Sequence, residues 1–141
     1  MSKVGPILLI EDDHDDKDIF KRVLREIEIT NELVWFDNCN RGLEYLLTTS
    51  ESVFLIFCDI NLPGKNGIEF KRSIDEDPKL RKKCIPFVFY STTATQKDVN
   101  TAYLEMTTQG FFKKGTDFQE MKQQIKTIFD YWIASKHPNT Q

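Results

Sequence analysis

The chain has few of the sulfur and imidazole groups from which redox and soft-metal sites are built. It contains only 3 cysteines and 2 histidines in 141 residues. Cys39, Cys58 and Cys84 are odd in number and widely spaced, which excludes a disulfide framework and a CxxC metal pair. We expect three reduced core thiols. With histidine only at His14 and His137, a catalytic Cys–His pair is also disfavoured.

The chain also lacks the marks of membrane-bound, secreted, disordered and nucleic-acid-binding proteins. Its apolar runs are far shorter than the ~20 residues that cross a bilayer, and the N-terminus has no segment of signal-peptide length. With 40% hydrophobic residues, 6 glycines and 5 prolines, the composition is that of a folded domain. A net charge of −3 gives no general attraction to a phosphate backbone. We therefore expect one cytoplasmic domain, with neither nucleic acid nor membrane as a direct partner.

Five short apolar segments have the length and composition of buried β-strands. The clearest of them show no polar alternation, which is typical of strands covered on both faces in a parallel sheet. The segments are residues 7–10, 33–36, 54–58, 87–90 and 110–112.

Segments with helical spacing of apolar residues follow these strands. Pro78 closes the third helix, Thr93 or Thr95 is favoured as the cap of the fourth, and Thr116 with Gln119 resembles a capping box before the fifth. The order of strand then helix, repeated five times, requires right-handed crossovers and helices on both faces of the sheet. The sequence thus predicts a five-stranded parallel doubly wound sheet, flavodoxin-like with strand order 2-1-3-4-5, and five helices.

Charged and hydroxyl side chains follow four of the strands, at the edge where doubly wound sheets bind ligands. Glu11 and Asp12 follow the first strand, Asp59 the third, Ser91 the fourth and Lys114 the fifth. Carboxylates without a Gly-rich turn disfavour a directly bound nucleotide phosphate and favour a hard cation such as Mg²⁺. A phosphoryl group would fit between that cation and the lysine, with the serine hydroxyl as a donor.

Neighbouring polar residues have simpler interpretations. Asp13, Asp15 and Asp16 suit the positive end of the first helix dipole, and we prefer that role for them. His14 is interpreted as solvated, since Mg²⁺ prefers oxygen ligands. The two lysines after the fifth strand point to opposite sides of the pleat, and the register favours Lys114 for the site.

Together these motifs resemble the receiver domain of two-component response regulators. The resemblance rests on the acidic pair in ILLIEDD, the aspartate in FCDINLPGKNG, the hydroxyl residue in PFVFYST and the lysine in GFFKKG, in this order and at the matching strand ends. It covers residues 5–134, followed by a polar tail at 135–141. It implies a stand-alone phosphoprotein of phosphorelay signal transduction, and not an enzyme that acts on separate substrates.

The resemblance implies roles at the acidic end of the site. Asp59 would accept a phosphoryl group from a sensor histidine kinase or a phosphotransfer protein, and would also bind Mg²⁺. Asp12 would bind the metal directly, Glu11 through water and Asn61 through its main-chain carbonyl.

The resemblance also implies how the phosphorylated state would be recognised. Ser91 and Lys114 would each bind a phosphoryl oxygen. As Ser91 moves inward, Phe111 would swing toward the space it leaves. The signal would pass to a downstream protein target through the fourth helix, the fifth strand and the fifth helix. Whether the chain also forms a homodimer is left open.

Four residues depart from the family's usual pattern. Phe111 lacks the hydroxyl group of a tyrosine, which removes one hydrogen bond from the expected switch. Glu11 replaces the usual Asp, which preserves a water-mediated metal contact. Thr92 follows Ser91 where Ala or Gly is frequent, and its bulk restricts access to the phosphoryl group. Gly115 replaces the usual Pro, so that we expect either a trans peptide after Lys114 or strain there.

Two alternative functions remain open from the sequence. Thr92 and Gly115 motivate an interaction domain that keeps the fold and works without phosphorylation. A Mg²⁺-dependent phosphatase acting through an aspartyl-phosphate is the other alternative. It would need a second acid near Asp59, but position 61 is Asn.

Overall fold

A five-stranded parallel sheet forms the centre of the protein. A computed structural model describes residues 2–138. In spatial order the strands are β2-β1-β3-β4-β5, and every neighbouring pair is parallel. The predicted fold class and strand order are confirmed. The strands are β1 (Ile7–Ile10), β2 (Leu33–Phe36), β3 (Leu55–Cys58), β4 (Phe87–Ser91) and β5 (Gly110–Lys113).

The helices connect the strands and cover the sheet. Within residues 2–138 there are six α-helices, and none of them is long and apolar enough to span a bilayer. A short 3₁₀ helix at Ser2–Val4 precedes β1. The α-helices are α1 (His14–Glu26), α2 (Cys39–Thr48), α3 (Gly67–Glu76), α4 (Pro78–Arg81), α5 (Gln96–Glu105) and α6 (Phe118–Ala134).

The prediction of five helices was wrong by one short element, α4. Pro78 ends α3 as expected, but it also occupies the first turn of a new helix, where its missing N–H is not needed. The Asp77 side chain caps this turn by accepting the N–H groups of Lys79 and Leu80 at 2.9 and 3.2 Å. Leu80 then packs into the core, which holds the turn in place.

The core has two layers, one on each face of the sheet. Along β1, Leu8 and Ile10 point into the layer formed with α2, α3, α4 and α5, while Ile7 and Leu9 point into the layer formed with α1 and α6. Every residue of β1, β3 and β4 is buried. The apolar strand segments are therefore continuous because both faces are covered.

Side-chain caps mark the starts of the helices that follow β4 and β5. Thr95 caps α5, as one of the two predicted candidates. The predicted capping box of Thr116 with Gln119 was wrong. Asp117 caps α6 by accepting the N–H of Glu120 at 2.9 Å, and the Thr116 N–H donates to the Glu120 carboxylate. Aspartate is a more favourable N-cap residue than threonine, and Asp117 takes the cap position one residue later.

The cysteines differ in their exposure. All three are free thiols, and Cys39 and Cys58 are buried as expected. The prediction of a core position was wrong for Cys84, which is exposed and has a positive φ of 50°. It lies in the turn between α4 and β4, outside the elements whose side chains form the two core layers.

The described part of the predicted polar tail packs against the domain. His137 is fully buried, and its Nε2 lies 2.7 Å from the carbonyl oxygen of Phe54, just before β3. The imidazole also contacts the rings of Phe54 and Trp132. Residues 139–141 of that tail lie outside the described residues.

Candidate functional site

Three carboxylates meet at the carboxyl edge of the sheet, where β1 and β3 end side by side. Ile10 pairs with Cys58, and the N–H of Asp59 donates to the carbonyl of Ile10 at 3.1 Å. Glu11, Asp12 and Asp59 each offer an oxygen, and these oxygens lie within 4.8 Å of one another. Closely spaced carboxylate oxygens are the donor set that a hard divalent cation prefers. The residues present therefore fit a metal ion.

Asp59 is buried and held on both sides. Its Oδ1 accepts the N–H of Ile60 at 2.6 Å, and its Oδ2 faces the ammonium group of Lys114 at 3.4 Å. Gly67, the first residue of α3, packs against the Asp59 backbone so closely that a Cβ would lie 2.0 Å from the carbonyl oxygen. The Gly67 N–H donates to the carbonyl of Ile60 at 2.9 Å. The start of α3 thus fixes the chain that follows Asp59.

Lys114 is the buried cation of the site. Its Nζ contacts the carboxylates of Glu11, of Asp16 at 2.8 Å and of Asp59 at 3.4 Å. Burial alone would lower the pKa of Lys114, but the negative charges of Glu11, Asp16 and Asp59 outweigh it and raise the pKa above its ordinary value. Lys114 therefore stays protonated at neutral pH.

Glu11 is more deeply buried than Asp59 and contacts Lys114 directly. Burial raises the pKa of Glu11 to about 8, against the opposing charge of Lys114 and with a further increase from Asp59. Its backbone is fixed by the indole of Trp35, whose Nε1 donates to the Glu11 carbonyl at 2.7 Å. Buried negative charge is thus unfavourable at this edge of the sheet, and a bound cation would relieve it.

The peptide bond between Lys114 and Gly115 is trans, since residues 2–138 contain no cis peptide bond. Glycine is nevertheless required at this position. A Cβ on Gly115 would lie 2.5 Å from the Cβ of Glu120, at the start of α6. The departure from the usual proline is therefore explained by the close approach of α6 to this loop.

The side-chain amide of Gln124, on α6, holds the backbone on both sides of Lys114. Its Nε2 donates to the carbonyl of Lys113 at 2.7 Å, and its Oε1 accepts the N–H of Gly115 at 2.9 Å. The hydroxyl of Tyr90, on β4, donates to the same Oε1 at 2.8 Å. These three bonds fix the loop from which the lysine reaches into the site.

Ser91 ends β4 with its hydroxyl group inside the protein. The side chain is fully buried, and its Oγ has no hydrogen-bond partner among the described residues. Phe111 packs its ring 5.2 Å from that of Phe89, its partner across β4 and β5. Because Ser91 lies two residues after Phe89, all three side chains share one face of the sheet. Thr92, the next residue, is exposed.

The remaining residues singled out from the sequence lie around this centre. Asn61 is exposed two residues after Asp59, and Lys113 is exposed beside Lys114. The exposed His14 contacts the Trp35 ring edge-on at 5.1 Å.

Asp16 contacts Lys114, a contact that the sequence interpretation did not predict. Asp13 caps α1 by accepting the N–H groups of Asp15 and Asp16 at 2.8 and 3.0 Å, in line with the role preferred for it. Asp16 instead pairs with Lys114. A signal was present in the sequence, because Asp16 extends the buried stripe of α1 by one turn toward the site, four residues before Phe20.

The sheet topology and the site define an α/β domain that assembles its ligand groups at one edge of a parallel sheet. A family model described as the response regulator receiver domain matches residues 7–126. The chain therefore belongs to the response regulator receiver family of two-component signalling, and the resemblance recognised in the sequence is confirmed.

Individual relatives have the same architecture over nearly their whole length. Response regulator Rcp1 of Synechocystis sp. is 27% identical over 134 residues, which cover 92% of this chain and 89% of that protein. The crystal structure of the phosphorylated cyanobacterial phytochrome response regulator RcpA superimposes with a TM-score of 0.86 at 26% identity, covering 96% of this chain and 99% of that one. The Mn²⁺-bound form of Rcp1 gives a TM-score of 0.81 at 25% identity, covering 95% and 99%.

Proposed function

We propose that residues 5–134 form a phosphoacceptor domain in which Asp59 takes a phosphoryl group from a sensor histidine kinase or a phosphotransfer protein. The surroundings of Asp59 carry this proposal. Its carboxylate lies inside the edge of the sheet, with the Lys114 ammonium 3.4 Å from one oxygen and the carboxylates of Glu11 and Asp12 close enough to share a metal ion with it. In this proposal the chain modifies only itself and turns over no separate substrate.

The proposed reaction transfers phosphorus from nitrogen to oxygen. An Asp59 oxygen attacks the phosphorus of the donor phosphohistidine, the phosphorus–nitrogen bond breaks, and the imidazole leaves. Because both reactants are anionic, positive charge must lie close to the phosphoryl oxygens. Lys114 supplies one such charge, and the hydrogen bond from Ile60 to Oδ1 keeps the attacking carboxylate oriented.

A divalent cation would supply the remaining charge, and Mg²⁺ is the proposed ion. Asp12 and Asp59 would bind it directly, Glu11 through water and Asn61 through its main-chain carbonyl. The close spacing of the three carboxylates supports this ligand set. When bound, the cation would neutralise phosphoryl oxygens and orient the group for in-line transfer.

Phosphorylation would be recognised through Ser91 and Phe111. An acyl phosphate adds acceptor oxygens, and the buried Ser91 hydroxyl, which has no partner among the described residues, would donate to one of them. Phe111, on the same face, would then repack. The resulting change would reach the surface of α5, β5 and α6, where Tyr103 and Leu104 are exposed for a downstream protein target. A cytoplasmic location stays a prediction, and homodimer formation stays open.

Phosphorylation from a small donor tests the function directly. Purified protein given Mg²⁺ and acetyl phosphate should gain one acid-stable, base-labile phosphoryl group on intact-mass analysis, and Asp59→Asn should abolish it. Asp37→Asn is the matched control, since Asp37 is an exposed aspartate that follows β2. Absence of the modification in the wild type would instead favour the phosphorylation-independent interaction domain.

A phosphotransfer profile tests the proposed donor class. The chain is incubated with each phosphorylated histidine kinase and phosphotransfer protein of its source organism. We expect one donor to lose its label to Asp59 far faster than the others. Uniformly slow transfer from every donor would contradict this part of the proposal.

A further inference from the structure

Lys114 is closer to Asp16 than to the proposed phosphoacceptor. Its Nζ lies 2.8 Å from Oδ2 of Asp16 and 3.4 Å from Oδ2 of Asp59. The Asp16 side chain is 29% exposed, whereas that of Asp59 is 11% exposed. The lysine, which also pairs with Glu11, is thus shared between a carboxylate at the rim of the site and the carboxylate at its centre.

The first turn of α1 holds Asp16 in this position. The Asp13 side chain accepts the N–H of Asp16 at 3.0 Å, which fixes the backbone while leaving the Asp16 carboxylate free to reach Lys114. Asp15, its neighbour in the same turn, is exposed. The two aspartates therefore carry the same charge on the same turn, but only Asp16 contacts the lysine.

We propose that Asp16 is a positioning residue that draws Lys114 toward α1 in the unphosphorylated protein and competes with the phosphoryl group for the lysine. This inference rests on the proposed phosphorylation of Asp59. Phosphorylation would raise the negative charge at position 59 from one to about two and add acceptor oxygens, which attract the ammonium group away from Asp16.

The competition would adjust how firmly the site holds a phosphoryl group. Because Asp16 is partly exposed, water can solvate its carboxylate when Lys114 leaves, which lowers the free-energy cost of the release. Asp16→Asn removes the competing charge while keeping the size of the side chain and the backbone bond to Asp13. Lys114 should then engage Asp59 and its phosphoryl group more fully.

The test measures the affinity for beryllofluoride, a phosphoryl analogue, in the presence of Mg²⁺ by tryptophan fluorescence. Asp16→Asn should tighten binding by roughly 1.5- to fivefold, the scale of one weak competing ion pair. It should also speed phosphorylation by acetyl phosphate. Asp15→Asn should leave both quantities at wild-type values, because it changes the net charge equally without touching Lys114.

A Lys114→Met background separates competition for the lysine from a general effect of charge. There, adding Asp16→Asn should change beryllofluoride affinity no more than adding Asp15→Asn does. A second readout uses metal-free protein, in which the ¹⁵N resonance of the Lys114 ammonium should shift in Asp16→Asn and stay unchanged in Asp15→Asn.

Each outcome decides the inference. It is overturned if Asp16→Asn behaves like Asp15→Asn in the wild-type background, or if its effect persists without Lys114. A wild type that binds no beryllofluoride and gains no phosphoryl group contradicts the proposed function, and with it the competition. The ammonium resonance would then report separately whether Asp16 pairs with Lys114.

Discussion

Gly67 lies directly against the main-chain carbonyl of Asp59, and a Cβ at position 67 would stand 2.0 Å from that oxygen. The contact joins the first residue of α3 to the candidate phosphoacceptor. Because backbone and not a flexible side chain occupies the space, any larger residue must displace either α3 or the end of β3. The position of Asp59 therefore depends on the absence of a side chain at residue 67.

Gly67→Ala should lower both stability and phosphorylation. We expect a loss of roughly 1–3 kcal/mol in the free energy of unfolding, as for other overpacked buried positions, measured by urea denaturation. Phosphorylation by acetyl phosphate should slow because Asp59 is displaced. Gly64→Asn is the control: Gly64 has a φ of 73° with open space around it, and Asn tolerates that backbone. Wild-type stability in Gly67→Ala would contradict the contact.

Gln124→Ala should weaken the site without altering any group that contacts the proposed phosphoryl group. It removes the bonds to Lys113 and Gly115, so the backbone of Lys114 should become less well fixed. A misplacement of about 1 Å can cost up to ~100-fold in rate, and we expect slower phosphorylation within that range. Acetyl phosphate kinetics provide the measurement.

The neighbouring glutamine supplies the control for this experiment. Gln123 is exposed, and among residues 2–138 its side-chain hydrogen bond stays within α6, to Thr127. Gln123→Ala should therefore keep the wild-type phosphorylation rate. Equal rates in the two glutamine variants would show that the hydrogen bonds from Gln124 to the backbone of Lys113 and Gly115 have no role in the reaction.

Divalent cations should stabilise the folded protein through the three carboxylates. Binding to the native state alone raises the melting temperature as the cation concentration rises, by mass action. Thermal unfolding with increasing Mg²⁺ or Mn²⁺ should show this increase in the wild type and lose it in Asp12→Asn. Asp15→Asn should retain it, since Asp15 lies outside the acidic cluster. An unchanged response in Asp12→Asn would contradict the ligand set.

His137 should make stability depend on pH near neutrality. Burial lowers the pKa of its imidazole; the bond to the Phe54 carbonyl opposes this shift and the charge of Lys3 adds to it. The unfolded chain takes up a proton near pH ~6.5, whereas the folded protein does so only at lower pH. The free energy of unfolding should therefore fall as the pH drops below ~6.5. Above that pH, His137 should cause no such loss.

Urea denaturation between pH 5 and 8 tests the role of His137. His137→Gln should be less stable than the wild type at pH 8 by about 1–3 kcal/mol, since a buried contact is lost. Its free energy of unfolding should also fall less steeply toward pH 5 than that of the wild type. His14→Gln should keep that decline, because His14 is exposed. Parallel pH profiles for the wild type and His137→Gln would contradict the prediction.

The sheet could be predicted because its strands are short apolar runs with a distinct boundary. Phe57 and Cys58 are buried and are followed at once by Asp59, so the end of β3 is visible in the sequence. Turn chemistry was harder to predict. Pro78 was correctly taken as a helix end, but the preceding Asp77 turned the same residue into the start of α4.

The site was predictable where a polar residue directly follows a buried strand, and less so where a helix supplies the group. Glu11 and Asp59 are such strand-end residues. Asp16 and Gln124 belong to helices, and which neighbour they meet depends on how α1 and α6 pack on the sheet. Their positions on the apolar stripes of those helices were the available signal. His137 gave no comparable signal, because its burial depends on a contact with Phe54, 83 residues away.

Cys84 gives the protein a natural attachment point. It is the exposed thiol of the chain, while Cys39 and Cys58 are buried. It precedes β4, and Asp59 follows β3, so the two residues lie at opposite edges of a parallel sheet. A maleimide surface would therefore capture the unmodified chain through one sulfur and leave the Asp59 edge facing solution, ready for kinase-binding measurements on a uniformly oriented layer.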